Sequence, residues 1–396
     1  MPAWMSSSPE QFEAERAIFG KVWLQVARRE DVAKPGDWVV REVEICNASI
    51  IIVNDRIEGI KAYHNVCKHR GMRLLWEERG HNTLFTCPYH AWSYTNNGRL
   101  KAMPDEAAFP QLCKDEIALT PVAIDEWEGF LFINLDPNPG QTLRAFLGPL
   151  ADWIKGVDFA QFTCYARVTE TVSANWKLGV DAGAEGYHIG VLHAKSARAW
   201  AVTEDNPHVH YLGWEPLGPH RLAHFPRNPD FRLDPKKPIQ SFAYSHMPQM
   251  MIAGTGEASG LAGKAFGDHP DLNRTQANDW GGDQIFLFPV GALNLTYNGL
   301  YHNCYWPLTP DTARWSAQWY FRTPRSRREQ FAMECSMAQN RDVVTEDNFA
   351  VRGQHEGLKS GALKAAVFGE GEMLPRHMAA VIKGIVDASR SLAAHS

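Results

Sequence analysis

The sequence predicts an α+β fold in two domains, a β-rich domain followed by a larger domain that mixes helices and strands. The chain has 396 residues, of which 44% are hydrophobic and 21% charged, and this composition suits a globular protein large enough for two domains. Short β-rich runs separated by turns fill the first part as far as the turn-rich segment 137–140. Helical and strand patterns then follow one another, with no internal repeat.

The first predicted element is an amphipathic helix. Ser8 can cap this helix, Pro9 suits its first position, and Gln11 can complete a capping box. Apolar residues then recur at helical spacing from Phe12 to Val26. We therefore expect a helix that packs against a larger body.

Runs of β-branched and aromatic residues predict the strands, and apolar periodicity predicts the later helices. In the first domain, strands are expected at 38–40, 49–53 and 130–133. In the second domain, we expect a helix over 174–188, strands over 285–288 and 314–321, and a final docked helix from Met378.

Charge and composition exclude several classes of partner. The chain has 40 basic and 45 acidic side chains, a net charge of −5 and no dense basic run, so neither nucleic acid nor an anionic membrane surface is an expected partner. The N-terminus lacks a signal-peptide pattern, and no apolar run approaches about 18 residues. We expect a cytoplasmic protein.

The seven cysteines are too few and too scattered for a disulfide scaffold. Five of them stand alone and are expected to be small buried hydrophobes, namely Cys46, Cys113, Cys164, Cys304 and Cys335. The other two, Cys67 and Cys87, each have a histidine within three positions.

Those two cysteines define the first candidate metal site. Cys67 and His69 form one pair, and Cys87 and His90 form a second pair after seventeen intervening residues. Two thiolates and two imidazoles can bind one tetrahedral zinc or an iron–sulfur cluster, and four unrelated loop residues are the third interpretation. Because each pair mixes one Cys with one His, the order favours a [2Fe–2S] cluster with both thiolates on one iron and both imidazoles on the other.

A second candidate site begins in the predicted helix over 174–188. Asp181, Glu185 and His188 fall at i, i+4 and i+7, which would place them on one helical face, and His193 follows five residues later. Asp347 lies in an acidic cluster far downstream and can complete a facial triad of two histidines and one carboxylate, which suits Fe(II). A structural His pair and a solvated carboxylate are the alternatives, and the neighbouring Glu346 and Asp342 compete with Asp347 for this role.

The residues of both sites resemble a known family. The segments 65–71 and 87–92 look like the two ligand loops of a Rieske domain, and the whole chain resembles the catalytic large (alpha) component of the Rieske non-heme iron aromatic-ring-hydroxylating oxygenases. The resemblance implies an all-β Rieske domain and a helix-grip (START/Bet v 1-like) catalytic domain with an antiparallel sheet. The expected bounds are 1–34 for an N-terminal helix packing on the catalytic domain, 35–155 for the Rieske domain and 156–396 for the catalytic domain.

The resemblance also implies a role for each candidate residue. The [2Fe–2S] cluster is expected on Cys67, His69, Cys87 and His90, and the mononuclear Fe(II) on His188, His193 and Asp347. Glu185 is expected to bridge His90 of a neighbouring subunit to the mononuclear site. Asp181 is a second acidic candidate whose role the resemblance does not define, because many members have Glu there.

The implied activity is that of a terminal oxygenase. It would use O2 to hydroxylate once or twice, or to dealkylate oxidatively, an aromatic or alicyclic substrate, a choice favoured by the apolar runs 247–252, 285–290 and 293–306. The sequence lacks a Gly-x-Gly-x-x-Gly fingerprint, so electrons are expected from a separate NAD(P)H-dependent reductase, with or without a ferredoxin. The resemblance further implies a homotrimer. The alternative is a Rieske electron-transfer protein without oxygenase activity.

Overall fold

The computed structural model describes residues 1–153, 155–246, 269–296 and 299–395. They fall into two compact units, one formed by Arg16–Phe146 and the other by Met1–Glu15 with Leu147–Ser396. The predicted apolar run 247–252 lies outside the described residues.

The unit of Arg16–Phe146 is built from antiparallel strands. Their bounds are β1 (Leu24–Arg28), β2 (Asp37–Val43), β3 (Ala48–Asp55), β4 (Gly59–His64), β5 (Arg79–His81), β6 (Leu84–Thr86), β7 (Ser93–Thr95), β8 (Leu100–Ala102), β9 (Pro121–Trp127) and β10 (Phe130–Asn134). One sheet has the order β1-β10-β9-β4-β3-β2-β5, and a smaller sheet has the order β6-β7-β8. The strands predicted at 38–40, 49–53 and 130–133 lie within β2, β3 and β10, which confirms them.

This unit begins earlier than the expected position 35, for a topological reason. Strand β1 pairs with β10, with Leu24 opposite Ile133 and Arg28 opposite Phe130. All of β10 is buried, so the edge that β1 covers is part of the core. A pairing between segments about a hundred residues apart leaves no local signal in the sequence.

The larger unit contains a second antiparallel sheet, and its presence beside long helices confirms the predicted α+β class. Its strands are β11 (Thr163–Val172), β12 (Gly213–Leu217), β13 (His220–Pro226), β14 (Trp280–Leu287), β15 (Gly291–Thr296), β16 (Gly299–Thr309) and β17 (Thr312–Phe321). Within the described residues the order is β11-β17-β16-β15-β14-β13-β12. The strands predicted at 285–288 and 314–321 match β14, to within one residue at its end, and β17.

Within the described residues, the α-helices are α1 (Pro9–Phe19), α2 (Leu143–Leu147), α3 (Trp176–Ala182), α4 (Ile189–Leu192), α5 (Arg198–Ala201), α6 (Pro238–His246), α7 (Arg327–Lys359) and α8 (Met373–His395). Short 3-10 helices lie at Ala3–Ser6, Arg29–Val32, Glu44–Cys46, Glu106–Ala108, Lys114–Glu116, Gly148–Asp152 and Phe159–Gln161. The final helix predicted from Met378 is confirmed within α8, where Ile382 and Val386 are buried. Among the described residues, no helix combines the length and hydropathy needed to cross a membrane.

Helix α1 begins as predicted and ends earlier. The Ser8 hydroxyl accepts a hydrogen bond from the Gln11 N–H at 3.1 Å, as a cap does. The Gln11 side chain does not complete a capping box, because it donates to Glu15 instead. The predicted continuation to Val26 was wrong, since the helix ends before Gly20 and β1 begins at Leu24.

Candidate metal centres

The helix predicted over 174–188 was wrong in its extent. It ends at Ala182, and the turn that follows carries residues of the second site. Helix α3 starts at a cap, where the Asn175 side chain accepts from the Lys177 N–H, and it ends at Ala182. At Gly186 the backbone passes so close to Val209 that a Cβ would lie 2.2 Å from the Val209 carbonyl oxygen. Glu185 and His188 therefore come from a turn and do not share a helical face with Asp181.

Two histidines flank the one-turn helix α4. His188 lies at its N-terminal cap position and His193 at its C-terminal cap position, which brings their Nε2 atoms to 3.1 Å from each other. Oδ1 of Asp347, on α7, lies 3.3 Å from Nε2 of His188 and 3.0 Å from Nε2 of His193. Within the described residues, these three form a group whose ligand atoms all lie within 4.8 Å of one another.

The outer nitrogens of both histidines face carboxylates. Nδ1 of His188 contacts Oε1 of Glu185, and Nδ1 of His193 lies 2.6 Å from Oε2 of Glu346. A neutral imidazole that donates from Nδ1 presents a lone pair at Nε2. Two such lone pairs and Oδ1 of Asp347 converge on one point. This oxygen is buried and has no hydrogen-bond partner among the described residues, so the donor set fits a divalent cation.

The same carboxylates control the charge of this site. Burial works against protonation of His188, but Asp347 and Glu185 outweigh it and raise its pKa to about 10. Asp347 and Glu346 likewise raise the pKa of His193 against the effect of burial. Burial would raise the pKa of Asp347, yet its two histidines hold that pKa below the usual value. A cation that binds here at neutral pH therefore competes with protons.

Packing between α7, α3 and the sheet fixes the position of Asp347. The next residue, Asn348, is fully buried and accepts a hydrogen bond of 2.8 Å from the Tyr305 hydroxyl of β16. On the other side, a Cβ at Gly179 of α3 would lie 2.3 Å from the Tyr305 ring, so only glycine allows this approach. Tyr305 of β16 thus contacts both α7 and α3 beside the site.

Asp181 lies outside the group of three ligand atoms. Its Oδ1 is buried and has no hydrogen-bond partner in the described ranges. Burial raises the pKa of Asp181 to about 7 against the opposing charges of Arg221 and Lys177. Lys177 itself is buried and pairs with Glu15 of α1 at 2.8 Å. Asp181 therefore belongs to a network of buried charges.

A cavity opens beside the two histidines. It contains about 760 Å³ of space, part of it open to solvent. Its aromatic lining residues are Trp200, Tyr211, Phe225 and Tyr301, and its amide lining residues are Gln284, Asn294, Asn303 and Asn340. Nothing local in the sequence marks these amides as neighbours, because Gln284, Asn294 and Asn303 lie on three different strands and Asn340 lies on α7.

In the other unit, two loops of matching geometry hold the Cys–His pairs. The Cys67 N–H donates to the Met72 carbonyl and the Cys87 N–H to the Trp92 carbonyl, each at 2.8 Å. Four residues after each cysteine, Gly71 and Ala91 have positive φ angles of 77° and 56°. Each turn is also closed by a 3.0 Å hydrogen bond from that residue to the cysteine carbonyl.

The four predicted ligands converge as two pairs. Cys67 and Cys87 are buried, and Nδ1 of His69 lies 3.1 Å from Nδ1 of His90. Burial raises the pKa of the Cys67 thiol, while the Tyr94 hydroxyl at 3.3 Å acts in the opposite direction. One tetrahedral zinc would bring all four ligand atoms within about 4 Å of one another. No three of them come within 4.8 Å of one another in the described structure, so the donor set fits a two-iron cluster better.

The structure also shows the position of Glu346, whose role the sequence left undecided. Glu346 competes with Asp347 in the sequence as a ligand, and the structure places it on the outer nitrogen of His193, where it also accepts from the Ser196 hydroxyl at 2.6 Å. Asp342 does not belong to the group of three ligand atoms. Adjacent residues on a helix point about 100° apart, and no local pattern says which of two acids faces inward.

Two protein-family models match this chain. Residues 159–388 match the catalytic domain of the ring hydroxylating alpha subunit, and residues 22–117 match the Rieske [2Fe-2S] domain. Among solved structures, naphthalene 1,2-dioxygenase from Rhodococcus sp. aligns with a TM-score of 0.75 at 20% identity, covering 98% of this chain and 94% of that one. That likeness shows the fold.

Two curated relatives are more similar in sequence. The carnitine monooxygenase oxygenase subunit of Escherichia coli strain K12 is 35% identical over 195 residues, which are 49% of this chain and 52% of the relative. The anthranilate 1,2-dioxygenase large subunit of Acinetobacter baylyi is 31% identical over 196 residues, 48% of this chain and 41% of the relative. The matched part thus spans about half the length of these curated relatives.

Proposed function

Because the chain belongs to the family of ring hydroxylating alpha subunits, we propose that it is the terminal oxygenase component of a multicomponent Rieske oxygenase. The observation that carries the proposal is the convergence of two histidine Nε2 atoms and one buried carboxylate oxygen beside a cavity, with each outer nitrogen on a carboxylate. Two histidines and one carboxylate are the ligands of a facial triad, which would leave coordination positions open for O2 and substrate.

Both predicted cofactors, a Rieske [2Fe–2S] cluster and a mononuclear iron, are those of the two matched domains. Cys67, His69, Cys87 and His90 would hold the cluster, and His188, His193 and Asp347 would hold the iron. When bound, these centres supply stored electrons and O2 activation. The chain's own part is to orient both imidazoles through Glu185 and Glu346 and to hold the substrate in the cavity.

Glu185 has a further proposed role as the link to a neighbouring copy. Its two oxygens contact Nδ1 and the backbone N–H of His188, and its side chain is partly exposed. A carboxylate in this position can also accept a hydrogen bond from His90 of a neighbouring copy, as the family resemblance implies. The proposal therefore includes a homotrimer, and a monomer with full activity would contradict it.

The electron source in this proposal is a separate protein. The sequence contains no dinucleotide fingerprint, and the E. coli relative is named as one subunit of its enzyme, the oxygenase subunit. We therefore expect an NAD(P)H-dependent reductase, with or without a ferredoxin.

For the substrate, we propose a small quaternary ammonium compound. Two features support this choice: the relative named for carnitine, and a cavity whose aromatic walls and acidic iron site suit a cation. Rings such as Trp200 and Tyr211 attract an ammonium group through cation–π interactions. An aromatic substrate, the class favoured by the sequence, is the second candidate, supported by the anthranilate relative.

The test is product formation by the full chain loaded with both iron centres, with a surrogate reductase and NADH. Ammonium compounds and aromatic acids are offered under ¹⁸O2, and mass spectrometry identifies the products. We expect an oxidised ammonium product that needs the reductase and disappears in His193→Ala. Reduction of the cluster without any product from either class would support the alternative, an electron-transfer protein.

A further inference from the structure

Four amide side chains line the cavity, and their oxygens differ in whether they accept a hydrogen bond. Three of the oxygens accept a hydrogen bond from a neighbouring aromatic residue: Gln284 from Tyr211, Asn303 from Trp315 and Asn340 from Trp319. The fourth, Oδ1 of Asn294, is buried and has no hydrogen-bond partner within the part of the chain that the structure describes. Its amide nitrogen donates to the Tyr301 carbonyl at 3.5 Å, so the amide is oriented by the backbone of β16.

The second unpartnered atom is the hydroxyl of Tyr301, on the neighbouring strand. Tyr301 lies directly opposite Asn294 in the pairing of β15 with β16, so both side chains are on the same face. Tyr301 is only 5% exposed, and its hydroxyl also has no hydrogen-bond partner among the described residues. Its ring stacks on Trp319 with centroids 5.3 Å apart, which fixes the direction of the hydroxyl.

An unpaired buried polar atom is unfavourable, and folded proteins pair nearly all of them. Because three neighbouring amides in this cavity are paired, the unpartnered atoms of Asn294 and Tyr301 are a specific feature of this face of the sheet. Burial and the nearby charge of Asp347 raise the pKa of Tyr301, so its hydroxyl keeps its proton and can donate. Asn294, directly opposite Tyr301 in the sheet and lining the same cavity, offers an acceptor. An alcohol hydroxyl both donates and accepts, and is therefore complementary to this pair.

We propose that Asn294 and Tyr301 form a polar subsite that binds an alcohol hydroxyl of the substrate. The substrate is then a hydroxyl-bearing ammonium compound and not a hydrocarbon or a plain alkylammonium ion. The ammonium part of this statement rests on the proposed function, whereas the hydroxyl part rests on the two unpartnered atoms. Trp200 Nε1, which also lacks a partner, comes from α5 and is not part of the proposed pair.

Binding of matched ligand pairs tests the subsite. Choline is compared with ethyltrimethylammonium, and L-carnitine with γ-butyrobetaine, because each pair differs by one hydroxyl. Isothermal titration calorimetry uses the full iron-loaded chain without O2, so that no turnover is needed. We expect the hydroxyl-bearing member to bind about tenfold tighter in at least one pair, as for a hydrogen bond with both partners preformed. Tyr301→Phe and Asn294→Ala should each abolish that difference.

Two control variants separate this effect from a general one. Tyr165→Phe removes a hydroxyl that contacts Glu334 outside the cavity, and it should keep the hydroxyl preference. Tyr305→Phe removes a hydroxyl that donates to Asn348, so it should lower Tm. Tyr301→Phe removes an unpaired buried hydroxyl, and it should leave Tm unchanged or raise it by a few degrees.

These experiments test the subsite and the substrate class separately. Equal affinity for both members of each pair, in a wild-type chain that binds ammonium compounds, overturns the subsite and leaves the proposed function standing. A loss of Tm in Tyr301→Phe as large as that in Tyr305→Phe also overturns it. If no ammonium compound binds, the substrate class is wrong, and the subsite then stands or falls on the Tm of Tyr301→Phe.

Discussion

The side chain of Glu346 lies 2.6 Å from Nδ1 of His193, on the opposite side of the imidazole from Asp347. The two acids are neighbours in α7, yet one faces the candidate iron position and the other faces the outer nitrogen. A carboxylate on the outer nitrogen fixes the tautomer and the ring orientation of a metal-binding histidine. The acidic pair therefore holds both sides of one ligand.

Replacing Glu346 should weaken iron binding. Glu346→Ala removes the acceptor that orients His193, and we expect a loss of about 10- to 100-fold in affinity for the mononuclear iron. Titration of the metal-depleted chain with Fe(II) under anaerobic conditions measures it, and the cluster absorption should stay unchanged. Glu356→Ala, which removes an exposed acid of the same helix, is the control. An affinity equal to that of the control would contradict the role of Glu346.

Glu185→Gln should separate metal binding from turnover. Glutamine keeps an oxygen that can accept from Nδ1 of His188, so both iron centres should remain bound. Product formation should collapse, because the neutral amide replaces the charged link that we propose between the two centres. Iron analysis and product yield on the same sample measure the two properties. Retained turnover would rule out the bridging role.

The buried ion pair of Lys177 and Glu15 should be essential for stability. Both side chains are almost fully buried, and Glu15 also accepts from the Trp176 indole at 3.0 Å. Glu15→Ala leaves a buried charge without its partner, which costs about 3 to 5 kcal/mol of unfolding free energy. Lys383→Ala breaks the exposed pair with Asp387 and should cost about 1 kcal/mol or less. Denaturant unfolding compares the two, and similar losses would contradict the argument.

Asp181 should make stability depend on pH. Its pKa in the folded chain is about 7, above the ordinary 3.8, so the folded state holds a proton that the unfolded state has released. This group's contribution to the unfolding free energy therefore falls as pH rises from about 4 to about 7. Asp181→Asn removes that titration, and the free energy of wild type minus that of the variant should fall over this range. Denaturant unfolding at several pH values measures it; a constant or rising difference would be the contrary result.

Local patterns in the sequence were enough to find the ligand loops. Cys67, His69, Cys87 and His90 stand at short spacings in turns, and the structure brings them together as two pairs. The strands at 38–40, 49–53 and 130–133 were likewise predictable, because runs of β-branched residues mark buried strands.

Features that depend on distant contacts could not be predicted in this way. The helix over 174–188 was expected from residue spacing, but the approach of Val209 to Gly186 is a tertiary contact that helical propensity does not reveal. Residues 293–306 suggested an apolar pocket wall, whereas Asn294, Tyr301 and Asn303 give this wall polar groups. Their direction depends on the register of β15 with β16, which the composition of the run does not show.

A count of metal and sulfide decides whether this chain holds two different iron centres. The reconstituted wild-type chain should contain about three iron atoms and two acid-labile sulfides. His193→Ala should lose about one iron and keep both sulfides. Zinc in place of iron, an absence of sulfide, or the same count of about two iron atoms in both proteins would show that the two centres are not present.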